Sequence, residues 1–210
     1  MPVRAGNTWF RMAHAALLAG VLTGCSEAAE GDDSTTSGRP SATAETSGRD
    51  HTAASSGGTI GAAGSACELP VTFDTAESWK AEAVKAPLSQ GPVTLACEID
   101  AKPAGSIGFL RVWTGRPGDA DARTVLEAFV AAEDGVSEEK YSAFTSGGLS
   151  GTKVEYLYAS ELLDETKKES AFAVTTADGP VVVHLGGLDT DEHEEMLPAY
   201  ELARRTLRVA

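Results

Sequence analysis

Apolar and polar residues alternate along the second half of this chain with two different periods. In CELPVTFD, residues 67–74, Cys67, Leu69, Val71 and Phe73 are spaced two apart, and in VTLACEI, residues 93–99, Val93, Leu95, Cys97 and Ile99 repeat the pattern. A period of two puts alternate side chains on one face of an extended strand. SIGFLRVWTG, residues 106–115, is apolar at both parities, through Ile107, Phe109 and Trp113 and through Leu110 and Val112, which suits a central strand covered on both faces. The period then switches. In DARTVLEAFVAAEDG, Val125, Leu126, Phe129 and Val130 form one helical stripe, with Pro117, Gly118 and Asp119 ahead of it and Gly135 as its stop. TKVEYLYAS, SAFAVTTADG and PVVVHLGGL read as three further strands, the last two joined by the turn Ala177-Asp178-Gly179-Pro180. SGGLSG, residues 146–151, reads as a hairpin loop. The chain closes on a second helix with Met196, Tyr200, Ala203 and Leu207 at helical spacing. Pro198 predicts a first turn over about 190–196 and a kink or restart there.

These elements make one domain over residues 67–210, α+β, with a mainly antiparallel sheet, one mid-chain helix and a C-terminal helix. Residues 25–66 are a different material. They are rich in Ser, Thr, Gly, Ala and acids, and Ile60 is their one large aliphatic residue. Such a stretch cannot bury enough apolar surface to offset its chain entropy, so it reads as a disordered tether, with O-glycosylation of its Ser/Thr clusters as an added role.

Ahead of the tether, MAHAALLAGVLTG, residues 12–24, is an apolar run preceded by Arg4 and Arg11. It is too short for a bilayer span, which needs about 20 residues, and it has the basic leader and small-residue end of a secretory signal. Leu22, Thr23, Gly24 and Cys25 resemble the lipobox of bacterial lipoprotein signals, position by position. The resemblance implies removal of residues 1–24 and lipidation of Cys25 by a diacylglycerol carrying chains such as palmitate. Two or three chains make anchoring stable. The expected address is the cell membrane, lipid-anchored, on its extracytoplasmic face, with the membrane as a partner through the anchor alone.

Charge and cysteine count narrow the picture further. With 17 Lys+Arg against 31 Asp+Glu, the net charge is −14, which argues against nucleic acid as a partner. With Cys25 committed to lipid, Cys67 and Cys97 are the two thiols left in an exported protein, and their pairing in a disulfide is expected; the alternative is two buried free thiols.

VTFDTAESWK, with Phe73 and Trp79, and VVVHLGGLDTDEHEEMLPAYELARRTLRV at the other end resemble the opening and the close of the PsbP-like family, which includes lipoproteins of the LpqN/LpqT type. The likeness spans roughly residues 69–209. It implies an α/β/α sandwich and an envelope-exposed binding or accessory module. It implies no catalytic residue and no cofactor.

Three groups of side chains could carry chemistry. Asp189, Asp191 and His193 in DTDEHEE are oxygen and nitrogen donors fit for a divalent cation, although an EF-hand spacing fails, with Glu194 where Gly is needed and Tyr200 where Glu is needed. The competing reading makes Asp189 a helix N-cap, Glu192 its capping-box partner and the other acids a complement to the helix dipole. His184 shares a strand face with Val182 and reads as a half-buried structural residue. Trp79, Trp113, Tyr156 and Tyr158 could line an apolar ligand groove or simply pack the core. The function expected is therefore an anchored binding or accessory module for a protein or envelope component, not an enzyme. The alternatives are an envelope hydrolase using His184 or His193 with a carboxylate, and a lipid or glycolipid carrier.

Overall fold

The computed structural model describes residues 54–86, 88–160 and 165–210. The signal segment, Cys25 and most of the tether lie outside the described residues. The described elements are β1 (Ser56–Ile60), β2 (Val71–Ala76), β3 (Lys80–Ala83), β4 (Ser89–Gln90), β5 (Val93–Asp100), β6 (Gly108–Gly115), α1 (Ala122–Val130), β7 (Val136–Ser146), β8 (Leu149–Ser160), β9 (Glu165–Thr176), β10 (Gly179–Gly187), α2 (Thr190–Thr206) and β11 (Arg208–Val209).

The main sheet runs β3-β5-β6-β10-β9-β8-β7, with β4 also beside β5, and every pairing in it is antiparallel. A smaller antiparallel sheet has the order β1-β2-β11. The chain leaves β6 in the middle of the main sheet and re-enters at its far edge as β7. Helix α1 lies across the strands that this connection skips. Its Asp121 N-cap accepts the Thr124 N–H at 2.7 Å, and Val125, Leu126, Phe129 and Val130 are buried. With Trp113, Val154, Ala171, Ala173 and Val182 they form one core. On the opposite face Leu110, Val112, Phe172 and Val183 pack with Met196, Tyr200 and Ala203 of α2 and with Val71 and Phe73 of β2. The fold is α+β, and β9 and β10 are buried on both sides. β6 is buried through Leu110 and Val112 on one face, but on the other only Trp113 is buried, with Phe109 half-buried and Ile107 54% exposed just ahead of the strand. The two-sided burial expected of SIGFLRVWTG thus holds at one end alone.

Four further expectations are corrected. VTLACEI does not present a single apolar face: the register slips between Leu95 and Cys97, so Leu95 stands opposite Trp113 and Cys97 opposite Val112. This β-bulge sends Val93 and Leu95 into the α1 core and Cys97 and Ile99 into the α2 core. The tether does not extend to residue 66, because β1 pairs with β2 and buries Ile60 to 6% exposure in the core that holds Phe73. The other β1 residues are exposed, so no apolar pattern marks the strand. Its glycines do mark it: Gly61 has φ +105°, and a Cβ there would lie 1.9 Å from the Val71 carbonyl oxygen. The third correction is at Pro198, which sits inside a continuous 17-residue helix. Its missing N–H removes one bond to the preceding turn, and burial of Met196, Ala199, Tyr200 and Ala203 around it holds the helix together. The fourth is an unpredicted strand, β7, a polar edge with mostly exposed side chains. It joins β8 through Gly147 and Gly148, both at positive φ, in a two-residue hairpin.

Cys67 and Cys97 are disulfide-bonded, with Cα atoms 5.9 Å apart, tying the approach to β2 onto β5 of the main sheet. Reduction should lower stability by about 3 kcal/mol in the chain-entropy model, measured as a shift in urea midpoint with and without reductant. Ile60→Ala should cost about 2–4 kcal/mol in the same assay. A change under about 0.5 kcal/mol, the size expected of surface substitutions, would show that β1 adds little to the fold.

Candidate functional site

Strand β9 turns Glu169 toward the α1 face and its neighbour Ser170 toward the α2 face, so the two remaining histidines meet it from opposite sides. Glu169 is 4% exposed. Its Oε2 accepts from the Tyr156 hydroxyl at 3.0 Å and lies 2.9 Å from His184 Nε2, while its Oε1 lies 2.8 Å from the Lys167 ammonium. Lys167 also donates to the Gly187 carbonyl at 2.7 Å. The His184 ring leans on Phe129 at 5.8 Å, so this cluster seals the end of the α1 core. Glu133, just past α1, reaches the same Tyr156 hydroxyl at 3.4 Å.

Burial alone would raise the Glu169 carboxyl, but attraction and hydrogen bonding to His184, then to Lys167, outweigh it and hold it at about 2. Glu133 is pushed up, by burial first and by the Glu169 charge second. Tyr156 is held far above its ordinary value by burial and by both carboxylates, so its hydroxyl stays a proton donor.

On the α2 face, Ser170 Oγ and His193 Nε2 are 3.2 Å apart and buried. Burial lowers His193 to about 4, which keeps the imidazole neutral, and its Nδ1 has no partner among the described residues. The pair lines a cavity of about 430 Å³ between α2 and the β8–β9 surface, where Lys168 pairs with Glu194 at 2.6 Å.

The four aromatic groove candidates separate. Trp79 packs partly buried on the α2 side, near Ala76, Ala199 and Leu202. Tyr156 belongs to the Glu169 cluster. Trp113 and Tyr158 line one cavity of about 580 Å³ at the C-terminal end of α1, and Trp113 meets Phe129 edge-on at 5.4 Å.

Of the cation-ligand candidates, Asp189 Oδ1 is taken by the Glu192 N–H at 2.8 Å, as an N-cap. Glu192 does not complete a capping box: its Oε2 accepts from the Ile107 N–H at 2.9 Å, pinning α2 to the start of β6. His193 faces Ser170, and among the described residues no three potential ligands gather as a metal site. His184 is more deeply buried than half, at 6% exposure. Sequence reading missed Glu169 and Lys167. The available signal was KKES leading into SAFAV, a charged residue at the parity of Ala171 and Ala173.

Glu169→Gln should cost about 3 kcal/mol or more, because it leaves the Lys167 ammonium without its counter-charge and replaces the acceptor that Tyr156 and His184 share. Acid should unfold the protein in two stages. A neutral His193 stabilises fully above its unfolded value of 6.5, and that contribution is lost as pH falls toward about 4. The Glu169 contribution is complete above 4.5 and lost toward about 2. Urea midpoints between pH 7 and 4 should fall less steeply in His193→Gln than in the native chain.

Residues 37–207 match the model of a family described as uncharacterised lipoprotein. No curated protein matches the chain. The fold is similar to the solution structure of cyanobacterial PsbP (CyanoP) from Synechocystis sp. PCC 6803, with a TM-score of 0.50, 16% identity, and coverage of 73% of this chain and 98% of that one. The chain thus belongs to the uncharacterised lipoprotein family, and its described globular part has a fold like that of PsbP.

Proposed function

We propose that this lipoprotein is an accessory module held at the extracytoplasmic face of a cell membrane by lipidated Cys25, binding a protein or another envelope component by surface complementarity. The observation that carries the reading is the Glu169 cluster. Its carboxylate is occupied by Tyr156, His184 and Lys167 and sits under 5% exposure, so this charge-rich centre serves the fold. What the domain offers outward is shape: two cavities flanking α1 and α2, and the long β7 edge. Family membership supports a membrane-anchored or extracytoplasmic setting in general terms.

The hydrolase alternative has one observation in its favour, the Ser170–His193 contact at 3.2 Å beside a cavity. Against it, His193 Nδ1 has no partner among the described residues, so no third group orients the imidazole as a base. The carrier alternative would use the cavity at Trp113 and Tyr158.

Crosslinking of the intact lipoprotein in its own envelope, followed by identification of attached species, tests the accessory reading. A defined crosslinked partner is expected, retained in Ser170→Ala and His193→Gln. Loss of the cellular phenotype in both variants with partner binding and fold intact would instead favour the hydrolase. Cys25→Ser should abolish metabolic labelling with palmitate and shift the protein out of the membrane fraction; unchanged fractionation would remove the anchor from the reading.

A further inference from the structure

The cavity at the C-terminal end of α1 has a consistent chemistry. Its ionisable carboxylates are Glu133 and Asp134, and it takes no Lys or Arg into its lining. The last turn of α1 carries no basic residue, so the negative end of the helix dipole meets the same space without a cationic side chain of its own, although Gln90 and the Ala131 and Glu133 N–H groups take up the Phe129, Glu127 and Val130 carbonyls. Lys167 stands over the Tyr158 ring at 5.4 Å, but its charge is taken up by Glu169 at 2.8 Å. The two carboxylates of the lining thus favour a cation. A second, independent observation points to a hydrogen-bond acceptor on the ligand. Trp113 lines the cavity, is 3% exposed, and its indole N–H has no acceptor among the described residues. A buried N–H left in this way is destabilising, and an acceptor on a ligand would satisfy it.

We propose that this cavity binds a small amino alcohol, its ammonium group against Glu133 and Asp134, and its hydroxyl oxygen accepting from the Trp113 indole. The class includes amino sugars and the ethanolamine fragment of lipid headgroups. Leu88, 55% exposed at the rim, supplies an apolar edge for the carbon skeleton. The assignment rests on the binding-module reading and names the ligand chemistry of one of its surfaces.

The test uses the full chain labelled with nitrogen-15, following the Trp113 indole resonance assigned by elimination with Trp9→Phe and Trp79→Phe. Glucosamine, ethanolamine and choline are titrated at fixed ionic strength, with 3,3-dimethyl-1-butanol as the uncharged counterpart of choline. At least one of the three cations should move the resonance along a saturable curve while the uncharged alcohol does not. An effect confined to glucosamine assigns an amino sugar, and one shared by ethanolamine assigns the headgroup fragment. Glu133→Gln, which keeps the size of the side chain and its contact to Tyr156, should weaken binding about tenfold, as loss of one charged hydrogen-bond partner implies. Asp134→Asn should weaken it as well. No saturable shift with any cation, a shift by the alcohol equal to that of choline, or unchanged affinity in both variants overturns the proposal. Failure here with the crosslinked partner retained would leave the accessory reading standing, and loss of that partner with the titration intact would remove the accessory reading alone.

Discussion

Two-sided burial of β10 and β9 is the constraint from which the other features follow. A strand covered on both faces sends alternate residues into separate cores, so a polar residue at either parity must find its partners inside the protein. On β9 this happens twice in succession. Glu169 enters the α1 side and is satisfied by Tyr156, His184 and Lys167, whereas Ser170 enters the α2 side and is satisfied by His193. The helices can cover the sheet only as far as these pairs allow. The α1 core therefore ends at His184 packed on Phe129, and the cavity at Trp113 and Tyr158 opens beside the end of that helix.

The bulge in β5 solves a related problem at the other side of the sheet. One strand has to supply Val93 and Leu95 to the α1 core and Cys97 and Ile99 to the α2 core. Without the extra residue at the register slip all four would fall on one face, and Cys97 would point away from Cys67. The disulfide and the bulge are thus one device.

Much of this was legible from residue spacing. The stripe of α1, the Ala177-Asp178-Gly179-Pro180 turn and the Asp189 cap are local signals, and each corresponds to what the structure contains, whereas the double parity of β6 holds only at Trp113. What escaped was nonlocal. β1 is held by backbone pairing with every side chain but Ile60 exposed, and β7 lends only Val136, Tyr141 and Phe144 to the cores at irregular spacing, so hydropathy has no period to register. The bulge leaves the period-two pattern of β5 intact while reversing the direction of half of it. Pro198 was read for its local cost, which packing on both sides of α2 overrides. The Glu169 cluster required knowing that Tyr156, Glu169 and His184 share adjacent strands, a fact of register rather than of sequence. His184 read alone looked like an isolated histidine; its meaning came from its neighbours.

The disulfide acquires a mechanical sense from the position of β1. The segment leading back toward Cys25 joins the described fold at Ala54, whose N–H donates to the Pro198 carbonyl, and then runs into β1. A load applied through that segment would enter the domain there, across the β1–β2 hydrogen bonds. A few residues further on, the covalent bridge from Cys67 to Cys97 passes the load directly to β5 in the main sheet. If the β1 pairing tears, the strut stops the unravelling at Cys67 and leaves the two cores closed. The bridge thus separates a short N-terminal strand, which can detach and re-form by backbone pairing, from the two cores behind it.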